Sequence, residues 1–198
     1  MQGTNLLADP VLRMETPQGI SCIDLPGLLA ALGGGRAVSL PGLQRHQEDA
    51  VHVFLCYLAG AVLARQDRGE PTQDADFWRR GIRELTRADG GADDSAWTLV
   101  VEDPLQPAFM QPPPAGGDGV KNLRPKGMTP DALDVLPTAK NHDVKAVRAV
   151  RSDPEDWIFA LVSLQTMSGY FGAGDYGVAR MNRGSASRPV VELLPEGG

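Results

Sequence analysis

Three clusters in this sequence have the residue types and spacing to do chemistry. His52 and Cys56 stand four residues apart, a spacing that brings two side chains to one helix face, where they could ligate a metal ion. The chain has three histidines in all and no second such pair. The expectation is therefore no metal, with Cys56 packed in the core as a small hydrophobe. Asn141-His142-Asp143 joins an imidazole to a carboxylate, as a general base and its orienting group would be joined. No nucleophile motif such as GxSxG accompanies it, and such side chains also serve to bond their own loop backbone. Gly172-Ala-Gly-Asp-Tyr-Gly177 matches G-x-G-x-x-G by spacing. The dinucleotide fingerprint requires a strand before it and a helix after it. Here an apolar helix comes before, so that reading is rejected, and the chain has no Walker motif.

The fourth cluster binds rather than reacts. Residues 168–177 hold four glycines, two tyrosines and a phenylalanine, and Arg180, Arg183 and Arg188 follow. Glycine lets backbone approach a partner with no Cβ in the way. Aromatic rings and guanidinium groups stack on or grip a nucleic acid. The alternative is a glycine-terminated helix with a surface turn.

These groups must be positioned by elements the sequence also announces. Residues 156–167 are an apolar helix leading into the glycine loop. Its start, Asp153-Pro-Glu-Asp156, places Asp153 as cap, Pro154 in the first turn and acids against the dipole. The clearest helix spans 44–65, with Val51, Phe54, Leu55, Leu58 and Val62 on one face. Residues 5–13 read as extended. Thr16-Pro-Gln-Gly19 reads as the turn of a hairpin, returning through Ile20-Ser-Cys-Ile23. Asp24 caps a short helix over 25–32 with Pro26 at its start, and Gly33-Gly-Gly35 ends it. Residues 38–42 form an extended linker, Asp76 caps a helix over 77–87, and Trp97-Thr-Leu-Val-Val101 forms a strand. Seven prolines in 103–130 make that stretch a connector, and a short helix begins at Thr129-Pro-Asp-Ala132. The class is α+β: a small, mainly antiparallel sheet, several helices and long loops in a single domain over 1–198.

Composition narrows the function. The net charge of -6 is uneven. Residues 118–188 hold ten Lys/Arg against eight Asp/Glu, and the rest nine against seventeen. Phosphate contact needs local positive charge, so any nucleic-acid contact belongs to the C-terminal half. The two cysteines lack a CxxC setting and no signal peptide is recognisable, which points to reduced cysteines and a cytoplasmic location. The longest apolar run, 51–64, is too short to cross a membrane.

The order of these pieces resembles the N-terminal region of the CasA family, the large subunit of the type I-E CRISPR Cascade. Asn5-Leu-Leu-Ala-Asp-Pro-Val-Leu-Arg13 is similar to the family's opening NLL strand, without its tryptophan. Ile23-Asp-Leu-Pro-Gly-Leu-Leu29 is similar to its I-x-L-x-x-L helix, and Val38-Ser-Leu-Pro41 to LSLP. Pro107-Ala-Phe-Met-Gln111 is similar to HPFMQ, and Gly127-Met-Thr-Pro130 to DVTP. Leu164-Gln165 through Gly169-Tyr-Phe-Gly-Ala-Gly174 resembles the apolar helix and glycine loop, and 180–188 the basic run after them. The matches are collinear over nearly the whole chain. Family members are longer and continue into a C-terminal helical bundle, which is not expected here.

The resemblance implies a non-catalytic subunit that recognises the protospacer-adjacent motif (PAM) of double-stranded target DNA, without cofactor or metal. Gly172, Ala173 and Gly174 would approach the minor groove, with Gly169 and Gly177 at the loop ends. A groove about 6 Å wide admits backbone without bulky side chains. Residue type adds Tyr170, Tyr176, Arg180 and Arg183 as sugar and phosphate contacts. Lys140, Asn141, His142 and Lys145 occupy the place of a family loop near the guide 5′ end and the PAM. The implied partners are other Cascade subunits, the guide RNA, duplex DNA and the helicase-nuclease effector. The alternatives are a fragment that binds Cascade without reading DNA, or a small hydrolase using His142 and Asp143.

Overall fold

The computed structural model describes residues 3–37, 39–87, 94–113, 129–133 and 152–167. Its first regular element is a hairpin of β1 (Leu12–Thr16) and β2 (Gly19–Ile23), antiparallel, with Leu12 opposite Ile23 and Thr16 opposite Gly19. Pro17 fixes φ near −65°, which excludes the primed hairpin turns that begin at positive φ. The left-handed step falls on Gly19 instead, at φ 122°. The Thr16 hydroxyl accepts from Gln18 N and donates to Gly19 O, closing the turn.

Four α-helices follow among the described residues. Helix α1 (Leu25–Gly33) starts where Asp24 accepts from Gly27 N at 2.7 Å. Helix α2 (Glu48–Arg65) is preceded by a 3-10 turn, Arg45–Gln47, where the sequence reads as one continuous helix from 44. Helix α3 (Ala75–Thr86) is capped by Asp74, which accepts from Phe77 N at 2.7 Å. This corrects the expectation of Asp76 as cap. Two aspartates two residues apart offer two starts, and the earlier one wins because Asp76 is bonded to Arg79 within the first turn. Helix α4 (Pro154–Met167) closes the set.

The α+β class is thus present, and among the described residues its sheet has two strands. Residues 97–101 do not form a strand. Ser95–Trp97 is a 3-10 turn, and only Thr98 makes a bridge, to Asn5. The bridge is held at both ends by Leu6 N on Trp97 O and Leu99 N on Thr4 O. The segment 5–13 is not extended throughout: Asp9 N returns to Asn5 O at 2.8 Å, and extended pairing begins at Leu12. Ser39 in the linker bridges Glu15 on the outer edge of β1.

One core joins all of this. Leu6, Leu7, Leu12, Leu25, Leu28, Val51, Leu58, Val62, Trp78, Ile82, Phe109 and the α4 residues Ile158, Phe159 and Val162 are buried together. Arg79 ties the N-terminal half across its surface. Its guanidinium donates to Leu7 O at 2.9 Å, to the α1 cap Asp24 at 2.8 Å and to Asp76 at 2.6 Å. Among the described residues no helix is long and apolar enough to cross a membrane.

Candidate nucleic-acid interface

The glycine-rich segment 168–177 lies outside the described residues, and α4 directly precedes it in the sequence. Its sequence explains its start. Pro154 occupies the first turn, where a missing N–H costs nothing. Asp156 Oδ2 accepts from Asp153 N at 2.9 Å, the returning arm of a capping box. The Asp153 side chain has no such bond among those described, so the cap operates through the residue three positions later.

Glu155 does something the sequence does not announce. It reads as an acid placed against the helix dipole, yet it is 1% exposed. Oε1 accepts from the Arg13 backbone N and Oε2 from Arg13 Nε, both at 2.6 Å. The hydrogen bond and charge of Glu155 raise the Arg13 pKa above its already high ordinary value. A buried carboxylate needs such a partner, because an unpaired buried charge costs several kcal/mol. The contact also satisfies an N–H on the outer edge of β1, next to the Glu15–Ser39 bridge. The helix start is thereby fixed to the hairpin.

The far end of α4 is fixed too. Ile158, Phe159, Ala160, Leu161 and Val162 are buried, and the helix packs on α2 and on the Pro130–Leu133 3-10 turn. Gln165 Nε2 donates to Met110 O at 2.8 Å. Met110 lies in the tight turn 108–111 with φ 57°, a left-handed conformation that a non-glycine residue adopts at a cost of about 1–2 kcal/mol. Phe109 is buried against Phe54 and Trp97. Phe109 N donates to Thr98 O, and Gln111 Nε2 donates to Leu99 O, both at 2.9 Å. The Pro107-Ala-Phe-Met-Gln111 segment is thus a buttress, holding a strained carbonyl toward the last turns of α4.

None of the residues expected to touch nucleic acid is among those described. Gly169, Tyr170, Gly172, Ala173, Gly174, Tyr176, Gly177, Arg180 and Arg183 lie outside the described residues, as do Lys140, Asn141, His142, Asp143 and Lys145. What the structure adds is which cations are engaged elsewhere. Arg13 and Arg79 are paired as above. Arg83 forms a two-pronged contact with Asp94, Nε to Oδ1 at 2.9 Å and Nη2 to Oδ2 at 2.7 Å. That hydrogen bonding raises its pKa. A guanidinium held in this way is not offered to a phosphate.

His52 and Cys56 do come together: Cys56 Sγ lies 3.5 Å from His52 Nε2. Cys56 is exposed, not packed in the core. The inward stripe of α2 runs through Val51, Leu58 and Val62, and Cys56 falls on the opposite side of the helix. Cys22 is exposed on β2. Asn5 is a structural fastener that the sequence motif alone did not explain. Its Oδ1 accepts from Leu7 N at 2.8 Å, and its Nδ2 reaches Asp94 O and Thr98 Oγ1 at 3.2 Å. An Asn ahead of two buried leucines is the signal, since a short amide can turn the chain locally.

Comparison with known protein families, curated proteins and solved structures gives no match to this chain.

Proposed function

We propose that this chain is a non-catalytic subunit of a CRISPR Cascade-type effector complex. In this reading it recognises the PAM of double-stranded target DNA through residues 169–177. It helps initiate the R-loop and recruit the helicase-nuclease in cytoplasmic antiviral defence. Gly172, Ala173 and Gly174 enter the minor groove, Arg180 and Arg183 bind phosphate, and 140–145 face the guide RNA. Sequence beyond the PAM is read by guide pairing, as in other RNA-guided effectors. The acidic remainder faces protein subunits.

The observation that carries the reading is a convergence. The segments on which the resemblance rests are far apart in the chain. Leu6, Leu7, Leu25, Leu28, Leu29 and Phe109 share one core, and Gln165 reaches the Met110 carbonyl at its edge. A loop entering a groove needs a rigid base, and α4 is fixed at both ends immediately before the glycines.

The test is a pull-down of the full chain with guide-loaded Cascade backbone, followed by binding to duplex targets with varied PAMs. Association that adds PAM-dependent affinity is expected. Gly172→Asp and Gly174→Asp should each weaken that affinity by roughly tenfold, the scale of one groove contact, with an unchanged circular dichroism spectrum. Association without any effect on target binding would instead mean a subunit that does not read DNA. No association would end the assignment.

A further inference from the structure

Helix α2 presents chemistry on the side it does not bury. His52, Cys56, Tyr57, Gly60, Ala61 and Ala64 are exposed there, and Tyr57 is 67% exposed. Small residues alone identify no ligand. The pair itself is the second observation: His52 Nε2 and Cys56 Sγ stand 3.5 Å apart, within hydrogen-bond reach of each other. Zinc binds sulfur at about 2.3 Å and imidazole nitrogen at about 2.0–2.1 Å, and a tetrahedral angle between those bonds sets the donors roughly 3.6 Å apart. The pair already stands at the spacing of two corners of a tetrahedral site. Thiolate and imidazole are donors that suit zinc, whereas magnesium and calcium take oxygen. Among the described residues no three His, Cys, Asp or Glu side chains come together to hold a metal. The described part of one chain thus supplies two ligands of the four.

We propose that two copies of this chain hold one zinc ion between their α2 helices, each supplying His52 and Cys56. A two-fold contact presents the same patch from both partners, which turns a His–Cys pair into a Cys2His2 set. Each Cys56 thiol gives its proton to solvent as the thiolate–zinc bond forms, so the two thiolates balance the dipositive ion. Protons compete for all four ligands, and acidification weakens the assembly. Gly60, Ala61 and Ala64 lie one to two turns beyond Cys56 and let the second helix approach closely. The space around Gly60 is open. Glu48 and Asp49 in the first turn of α2 add negative potential that draws a cation toward the site.

The experiment is light scattering on the metal-free full chain with and without added zinc, in a Cys22→Ser background, with cobalt as the spectroscopic probe. We expect the mass to double at one zinc per two chains and to revert on chelation. Cobalt should show the intense visible bands of tetrahedral thiolate coordination. His52→Ala and Cys56→Ser should each remain monomeric and lose those bands while keeping the circular dichroism spectrum. A monomer in excess zinc without tetrahedral cobalt bands would overturn the proposal. So would a tetrahedral one-to-one complex in the monomer, or a dimer indifferent to Cys56→Ser.

Discussion

Helices α2 and α3 pack against each other, but they are finished differently. Helix α3 buries Trp78, Gly81 and Ile82 and turns Asp76 and Arg80 outward. Its apolar stripe is used up by the fold. Helix α2 buries Ala50, Val51, Leu58 and Val62, yet between its charged ends the other side carries Cys56, Tyr57, Gly60 and Ala61. A helix that is apolar on one stripe has one place to dock, whereas one that is apolar all round suits burial on two sides. The spacing of apolar residues therefore predicts the buried stripe of α3, whereas apolar content overpredicts burial for α2.

The largest effect expected from this contrast is at Trp78, 1% exposed in the core. Trp78→Ala should cost about 3–5 kcal/mol in urea unfolding, and a cost under about 1 kcal/mol would break the account of α3 as core-docked. Next comes the seam between the helices. A Cβ on Gly81 would lie 2.3 Å from Val62 Cγ1. Gly81→Ala should therefore lose about 1–3 kcal/mol to overpacking, only partly offset by alanine's helix preference of roughly 1 kcal/mol. In a Val62→Ala background the loss should shrink, which a double-mutant cycle would read directly.

Smaller still is the cap. Asp74→Ala should cost about 1 kcal/mol. Asp76→Ala removes only a contact with Arg79 in which Asp76 is well exposed, so its cost should fall within about 0.2–1 kcal/mol. A reversed order would move the start of α3. Last is the outer side of α2, where Tyr57→Ala in metal-free protein should change stability by no more than about 0.5 kcal/mol. A clearly larger loss would mean that some other part of the chain covers this side.

What the sequence makes legible is what neighbouring residues decide among themselves. Thr16-Pro-Gln-Gly19 sets a turn and Asp24-Leu-Pro26 a capped helix start, and both occur where expected. The periodicity of α2 correctly marks Val51, Leu58 and Val62 as its inner side. What escapes is whatever depends on a distant partner. Glu155 looks like any acid in a first helical turn until Arg13 is brought to it from 142 residues away. Trp97 to Val101 has strand-forming residues, but residues 4–6 and the 109–111 turn meet it only around Thr98, so the pairing stays local. Cys56 has the apolarity of a core residue and lies at the wrong angle for one. Of the proposed interface, the acidic start and apolar body of α4 could be read from sequence. The buttress at Met110 could not, because a positive φ at methionine has no signature in composition.

The Arg13–Glu155 contact also sets a clock. Chains are synthesised at about 5–20 residues per second, so the 142 residues between the two take roughly 7 to 28 s to appear. Throughout that interval the nascent hairpin waits with the Arg13 N–H and buried Leu12 lacking the helix that later covers them. A chaperone that shields extended apolar segments has that window in which to act. A premature stop before residue 155 would leave the window permanently open and hand the product to proteolysis.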